Sequence, residues 1–182
     1  MRTWTRTYAL VALAILALSF GMLATGGAAS AKGTQNAPQR PGAYIKGCGK
    51  LTIYLTAREK AIYYAQNEAR TSHGLKPLCL NNKLVKASYQ HATKMTRFDR
   101  FQHGNVGKRL HEFGYDWKIY GENIGKDHFN PDGMFKAWMN SKRDRGNILN
   151  PKFTQVGVGV QYGVYKGVRQ PIYCVDFGTP KN

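Results

Sequence analysis

The hydrophobic pattern of this chain changes period once, and that change limits the fold more than any other feature. Up to about Asn150 the apolar residues recur at helical spacing; after Pro151 they alternate. Val156, Val158 and Val160 take turns with Gly157, Gly159 and Gln161, which predicts a strand with one face buried. Lys166-Gly167 supplies a turn, and Val168 to Phe177 a returning strand. Upstream, Thr56-Ala57-Arg58-Glu59 is a capping box, in which the Thr56 hydroxyl accepts from the Glu59 amide and the Glu59 side chain reaches back. The helix it opens carries Ile62, Tyr63, Gln66 and Ala69 at helical spacing and stops at Gly74. A second helix is expected from Asn82 to Thr96, with Leu84, Ala87, Ala92 and Met95 on its apolar face and His91 beside them. A short third helix covers Val106 to Phe113. A fourth starts at Asn130-Pro131, with proline at the first helical position, and buries Phe135, Trp138 and Met139. Helices followed by an antiparallel hairpin define an α+β sandwich, with helices covering a small sheet.

Residues 1–31 have the three parts of a secretory signal peptide. Arg2 and Arg6 carry positive charge, Ala9 to Leu23 is apolar, and Ala29-Ser30-Ala31 offers a small-x-small cleavage site. The apolar run is short of the roughly 20 residues that span a bilayer. Cleavage after Ala31 leaves a flexible arm over 32–50, rich in Gly, Pro, Gln and Lys, and one domain over 51–182. The expectation is a secreted protein that is soluble after cleavage.

Of 27 basic residues only Arg2 and Arg6 precede Lys32, and all 10 acidic residues follow it, so the exported part keeps a formal charge of +15. Such a charge attracts anionic surfaces: acidic polymers, glycans or lipid head groups. The basic residues are scattered, among them Lys76, Lys83, Lys86, Lys94, Arg97, Lys108, Arg109, Lys142, Arg143 and Arg145. That reads as a solvated basic surface, and with no recognition motif present no specific nucleic-acid site is expected. The three cysteines allow one disulfide in an oxidising space: Cys48–Cys79 would pin the arm to the domain, and Cys79–Cys174 stays open.

Eight phrases stand in a fixed order: Asn67-Glu68-Ala69-Arg70, Gly74-Leu75-Lys76-Pro77-Leu78, Phe101-Gln102-His103, Gly121-Glu122-Asn123-Ile124, Trp138-Met139-Asn140-Ser141, Arg145 to Pro151, Gly157-Val158-Gly159-Val160 and Asp176-Phe177-Gly178. Together they resemble the CAP superfamily of cysteine-rich secretory, antigen 5 and pathogenesis-related group one proteins, in its microbial SCP-like branch. The resemblance covers about residues 55–178. It implies a three-layer α-β-α sandwich with a small antiparallel sheet, and a shallow cleft where a histidine and a glutamate from separate loops meet.

The matching positions are His103 and Glu122. Where the family commonly has a second histidine, in Ser-Pro-Gly-His-Arg, this chain reads Ser141-Lys142-Arg143-Asp144-Arg145, so Asp144 stands in its place. Ser141 occupies the position of a frequent second glutamate. The ligand cleft is therefore expected to hold His103, Glu122, Ser141 and Asp144. One histidine with two carboxylates, His103, Glu122 and Asp144, is the donor set a divalent metal ion would find, weaker for zinc than two histidines and better suited to harder ions. The same residues also read as a polar network bracing the cleft loops, with His103 and Asp144 as a hydrogen-bonded pair.

Among other candidates, His91 reads as a satisfied core histidine, and His73, His111 and His128 as solvent-facing. Asn123 and Asn147 read as loop braces, and Trp138 and Phe177 as core. Tyr115, Trp117 and Tyr120 read as core, with a cleft rim as the alternative. No G-x-S-x-G, H-E-x-x-H or phosphate-cradling glycine loop is present. The resemblance implies a secreted binding protein for a lipid, sterol or other small apolar ligand, or for an anionic surface polymer or glycan. The rivals are a peptidase-like hydrolase using His103 and Glu122, with or without a metal, and a surface-recognised protein whose cleft is vestigial.

Overall fold

The structure, a computed structural model, describes residues 41–181. The expected signal peptide over 1–31 and the start of the arm lie outside the described residues. The arm expected over 32–50 contains a strand: β1 (Ala43–Lys46) pairs antiparallel with β2 (Thr52–Leu55), Tyr44 opposite Tyr54 and Ile45 opposite Ile53. Alternation explains it, because Ile45, Ile53 and Leu55 turn inward onto the main core while Tyr44, Lys46, Thr52 and Tyr54 face out. The polar composition around this short apolar face hid the strand.

The helices begin where their caps stand. Thr56 caps α1 (Ala57–Ser72) through the full capping box, and Gly74 follows at φ 71°. Asn81 caps α2 (Asn82–Arg97), Asn105 caps α3 (Val106–Glu112), and Asn130 caps α4 (Pro131–Asn140) ahead of Pro131. On α4, Trp138 is buried as expected, but Met134 is the second buried residue, while Phe135 and Met139 are only partly covered.

Three further elements complete the central sheet: β4 (Trp117–Gly125), β5 (Gln155–Tyr165) and β6 (Val168–Pro180). With β3 (Cys79–Leu80) they lie in the order β3-β5-β6-β4. The β5, β6 and β4 neighbours pair antiparallel and β3 runs parallel to β5, so the sheet is mixed at that edge.

Both faces of the sheet are covered, which gives the expected α+β sandwich its three layers. On one face Val156, Val158, Tyr173, Val175 and Phe177 pack with Ile62, Trp138 and Ile148 from α1, α4 and α5 (Lys142–Ile148). On the other, Cys174 and Ile172 meet Ala92 and Met95 of α2, while Leu84 and Ala87 of α2 pack with Leu110 of α3. The alternation of valine and glycine on β5 therefore marks two buried faces, not one. A Cβ on Gly157 would lie 2.1 Å from the Leu84 backbone, and one on Gly159 2.1 Å from the Tyr89 backbone. The glycines let α2 lie directly on the sheet.

Cys48 and Cys79 form the disulfide, and the Cys48 amide also donates to the Leu80 carbonyl at 2.8 Å. Cys174 is a buried free thiol. Arg70, expected to be no more than part of a phrase, is wholly buried. Its guanidinium donates to the carbonyls of Lys76, Ile148, Asn150 and Phe153 at 2.8–3.3 Å, tying the end of α1 to the segment that leads into β5.

Candidate functional site

Strand register creates the site. Glu122 on β4 lies directly opposite Asp176 on β6, and both side chains are buried under α2 and α3. Two carboxylates side by side in the interior repel each other and each loses its hydration. Arg109 of α3 answers both: one Nη atom donates to Glu122 Oε2 and, at 3.1 Å, to Asp176 Oδ1. The other Nη donates to the His103 carbonyl at 3.1 Å. Arg109, expected among solvated surface cations, is buried, because α3 carries it inward from the rim.

Hydrogen-bond counting separates the two carboxylates. Glu122 receives donors on both oxygens: His103 Nδ1 on Oε1 at 2.7 Å, and Arg109 with the Cys174 thiol (3.1 Å) on Oε2. Burial pushes its pKa up, but the His103 hydrogen bond and the Arg109 charge outweigh that, and it stays below the ordinary value. Asp176 is pushed up to about 7, by burial above all and then by the Glu122 charge, against the pull of Arg109. Its Oδ2 lies 2.9 Å from the Ser88 hydroxyl, which also lies 3.1 Å from the Gly157 carbonyl and accepts from the Asp176 amide at 3.2 Å. Ser88 has one proton and two oxygen neighbours that want it. It donates to Asp176 Oδ2 or to the Gly157 carbonyl, and the bond to Asp176 by itself favours the ionised carboxylate, against the upward push of burial.

His103 occupies the loop before α3, partly exposed, so the histidine expected from a loop is there, while Glu122 comes from a strand. The contact to the His103 ring from the opposite side comes from Arg143, whose Nη lies 3.0 Å from Nε2. A guanidinium only donates, so Nε2 accepts, Nδ1 carries the proton, and that proton goes to Glu122.

The two other expected cleft residues do different work. Ser141 caps α5, its hydroxyl accepting from the Asp144 amide at 3.3 Å. The carbonyl of Asp144 accepts from Asn123 Nδ2 at 3.0 Å, and Arg143 takes the place beside the ring that pairing with Asp144 would have needed. Asn147 donates to the Glu122 carbonyl and to Asn123 Oδ1, so both asparagines are structural as expected, but they brace β4 against α5 where loop backbone was expected. His91 is a buried histidine donating through Nε2 to the Gln102 carbonyl at 2.8 Å; burial and Arg109 lower its pKa. Tyr115 is core, while Trp117 and Tyr120 form an edge-on pair 4.5 Å apart over Gly107.

The CAP model, described as the cysteine-rich secretory protein family, matches residues 63–176, more than half of the chain. The chain belongs to the CAP family. It is 38% identical over 110 residues to the YkwD protein of Bacillus subtilis, covering 58% of this chain and 43% of that one. An extracellular protein containing an SCP domain from Bacillus anthracis superposes with a TM-score of 0.61 at 25% identity, over 79% of this chain and 49% of that one. An outer surface protein of Borrelia burgdorferi shares the fold at a TM-score of 0.61 and 20% identity, over 68% of this chain and 93% of that one. This CAP chain thus spans less than half the length of YkwD. Among its described residues no helix is long and apolar enough to cross a membrane.

The CAP residues present do not fit a divalent ion. Among the described residues, the trio whose ligand atoms lie within 4.8 Å of one another is Glu122, Cys174 and Asp176, not the expected His103, Glu122 and Asp144. Both carboxylates of that trio are already paired with the Arg109 guanidinium. Burial and the two carboxylates raise the Cys174 pKa well above the ordinary value, which keeps it a thiol and a poor ligand. Outside, Nε2 of His103 faces a cation. Sequence reading missed Arg109, Cys174, Asp176 and Ser88 as site residues. The one available signal was Asp176, a lone carboxylate inside the apolar run from Ile172 to Phe177.

Proposed function

We propose that this CAP domain is an extracellular binding protein whose cleft takes an oxyanion, the carboxylate, phosphate or sulfate of a surface polymer or lipid. The observation that carries the reading is the Arg143 guanidinium resting on a neutral ring nitrogen. Arg143 is exposed and makes no ion pair among the described residues. An oxyanion offers that fork two acceptors and full charge, a stronger partner than one imidazole lone pair. The Cys48–Cys79 disulfide, the signal-like pattern over 1–31 and the extracellular relatives support the location. The formal charge supports the class of ligand.

The test follows the imidazole resonances of His103 during titration with inorganic phosphate and with acetate. A saturable shift in the native chain, weakened about tenfold in Arg143→Gln and by added salt, is the expected result. A native chain whose His103 ignores both anions defeats the reading.

The Glu122–His103 pair favours a second reading, a hydrolase, because Glu122 orients the ring with its basic nitrogen outward. Arg143 must leave Nε2 before that nitrogen can take a proton. Peptidase activity lost in both His103→Ala and Glu122→Gln, with the fold intact, would support it.

A further inference from the structure

The β1–β2 hairpin presents a surface that the cleft does not use. Tyr44 and Tyr54 face each other across the strands with ring centroids 5.4 Å apart, and they are 74% and 52% exposed. Large aromatics left this far in water as a pair mark a contact surface more than a packing accident. Lys46 and Thr52 share the same outward face, and the turn adds Lys50 and an exposed Leu51. From Pro41 to Arg58 the chain contains no acidic residue, and the next one, Glu59, is buried and turned inward to the Thr56 and Val160 amides. The face is therefore aromatic and purely cationic.

It is also held still. The disulfide ties Cys48 to β3, the Cys48 amide bonds Leu80, and Ile45, Ile53 and Leu55 anchor the underside in the core. Tyr54 lies over Gly42, where a Cβ would sit 2.4 Å from its hydroxyl. Because the turn is stapled down onto β3 and offers one leucine, it is poorly built to sink into a bilayer. A tethered hairpin whose two tyrosine rings meet at 64° offers a ring face and a ring edge side by side to a chain that lies along it.

We propose that this hairpin is a second binding site, separate from the cleft, and that its occupant is an acidic polysaccharide. Sugar rings stack on Tyr44 and Tyr54, and Lys46 and Lys50 pair with the acid substituents. Rigid tyrosines supply contact area at little entropic cost, and the lysines make binding salt-dependent.

The experiment measures binding of the full, oxidised chain to polygalacturonate, to its fully methyl-esterified form, and to phosphatidylglycerol vesicles. Tyr44→Ala/Tyr54→Ala should weaken polygalacturonate binding about tenfold, while Tyr44→Phe/Tyr54→Phe retains it. Lys46→Gln/Lys50→Gln should flatten the salt dependence, and the esterified polymer should bind weakly. All these side chains face outward, and an unchanged melting temperature verifies the fold of each variant. Native-like binding by the Tyr→Ala variant overturns the proposal, as does equal affinity for the esterified polymer. Tyrosine-dependent binding to vesicles with none to polygalacturonate overturns it in favour of a membrane surface. Binding lost in Arg143→Gln but kept in the Tyr→Ala variant overturns the hairpin site while leaving the cleft reading standing; the converse result does the reverse.

Discussion

Ser88 and Asp176 meet across the interface of helix and sheet at 2.9 Å, the hydroxyl donating to a carboxyl whose pKa burial, above all, pushes up to about 7. The folded chain thus holds a proton there that the unfolded chain releases at a lower pH. With the folded pKa near about 7 and the ordinary value at 3.8, the Asp176 contribution to stability is fully present below pH about 4 and is lost as pH rises through about 7. Glu122 works in the opposite sense, since its lowered pKa withdraws stability only as pH falls below the ordinary carboxylate range. Asp176→Asn should therefore flatten the decline in melting temperature between pH about 5 and about 8. Calorimetric scans of both proteins over that range check it, and parallel profiles would show that Asp176 is ionised throughout.

The contact between α2 and the sheet depends on missing side chains. Gly159→Ala puts a methyl group against the Tyr89 backbone and should cost about 3 kcal/mol or more. Gly146→Ala on α5, where a Cβ meets nothing within 4 Å, should instead stabilise by about 0.5–1 kcal/mol. Urea denaturation of the two variants measures the contrast.

Arg70 holds four carbonyls, those of Lys76, Ile148, Asn150 and Phe153. Arg70→Leu should destabilise by about 3–5 kcal/mol, since it strands buried acceptors of the segment entering β5. Lys108→Ala, which removes an exposed helical ion pair with Glu112, should change stability by about 0.5 kcal/mol or less. Equal effects would refute the assignment of Arg70 as a pin.

The disulfide closes a loop across 31 positions, from Cys48 to Cys79. Cys48→Ala/Cys79→Ala should lower stability by about 2–4 kcal/mol. Amide exchange in β1 and β2 should rise further than in β5 and β6, because the hairpin loses its tether while the central sheet keeps its own. Uniform exchange across both sheets would contradict this.

Much of the scaffold was legible because its signals are local. The Thr56 capping box, the asparagine before Pro131 and the Lys166-Gly167 turn each act within a few residues, and each element begins or bends where they stand. His103 and Glu122 were found because they lie in phrases that mark the family. β1 was missed because its short apolar face needs the distant core to read as a face at all. α5 was missed because its seven residues bury only Ile148.

By itself the sequence determined four of the helices, the final antiparallel hairpin, the family, the strong positive charge, and the pair His103 and Glu122. The helices and the hairpin follow from periodicity and caps and the charge from residue type, while the family and the pair His103 and Glu122 follow from the resemblance of short phrases in fixed order. Only the tertiary structure decided that Arg109 sits between Glu122 and Asp176, that Arg143 rather than Asp144 reaches His103, and that Tyr44 and Tyr54 share one outward face. Those relationships depend on strand register and on helices packed from distant parts of the chain. A carboxylate's charge and an arginine's partner are set by what the fold places within a few ångströms, not by what stands beside them in the chain.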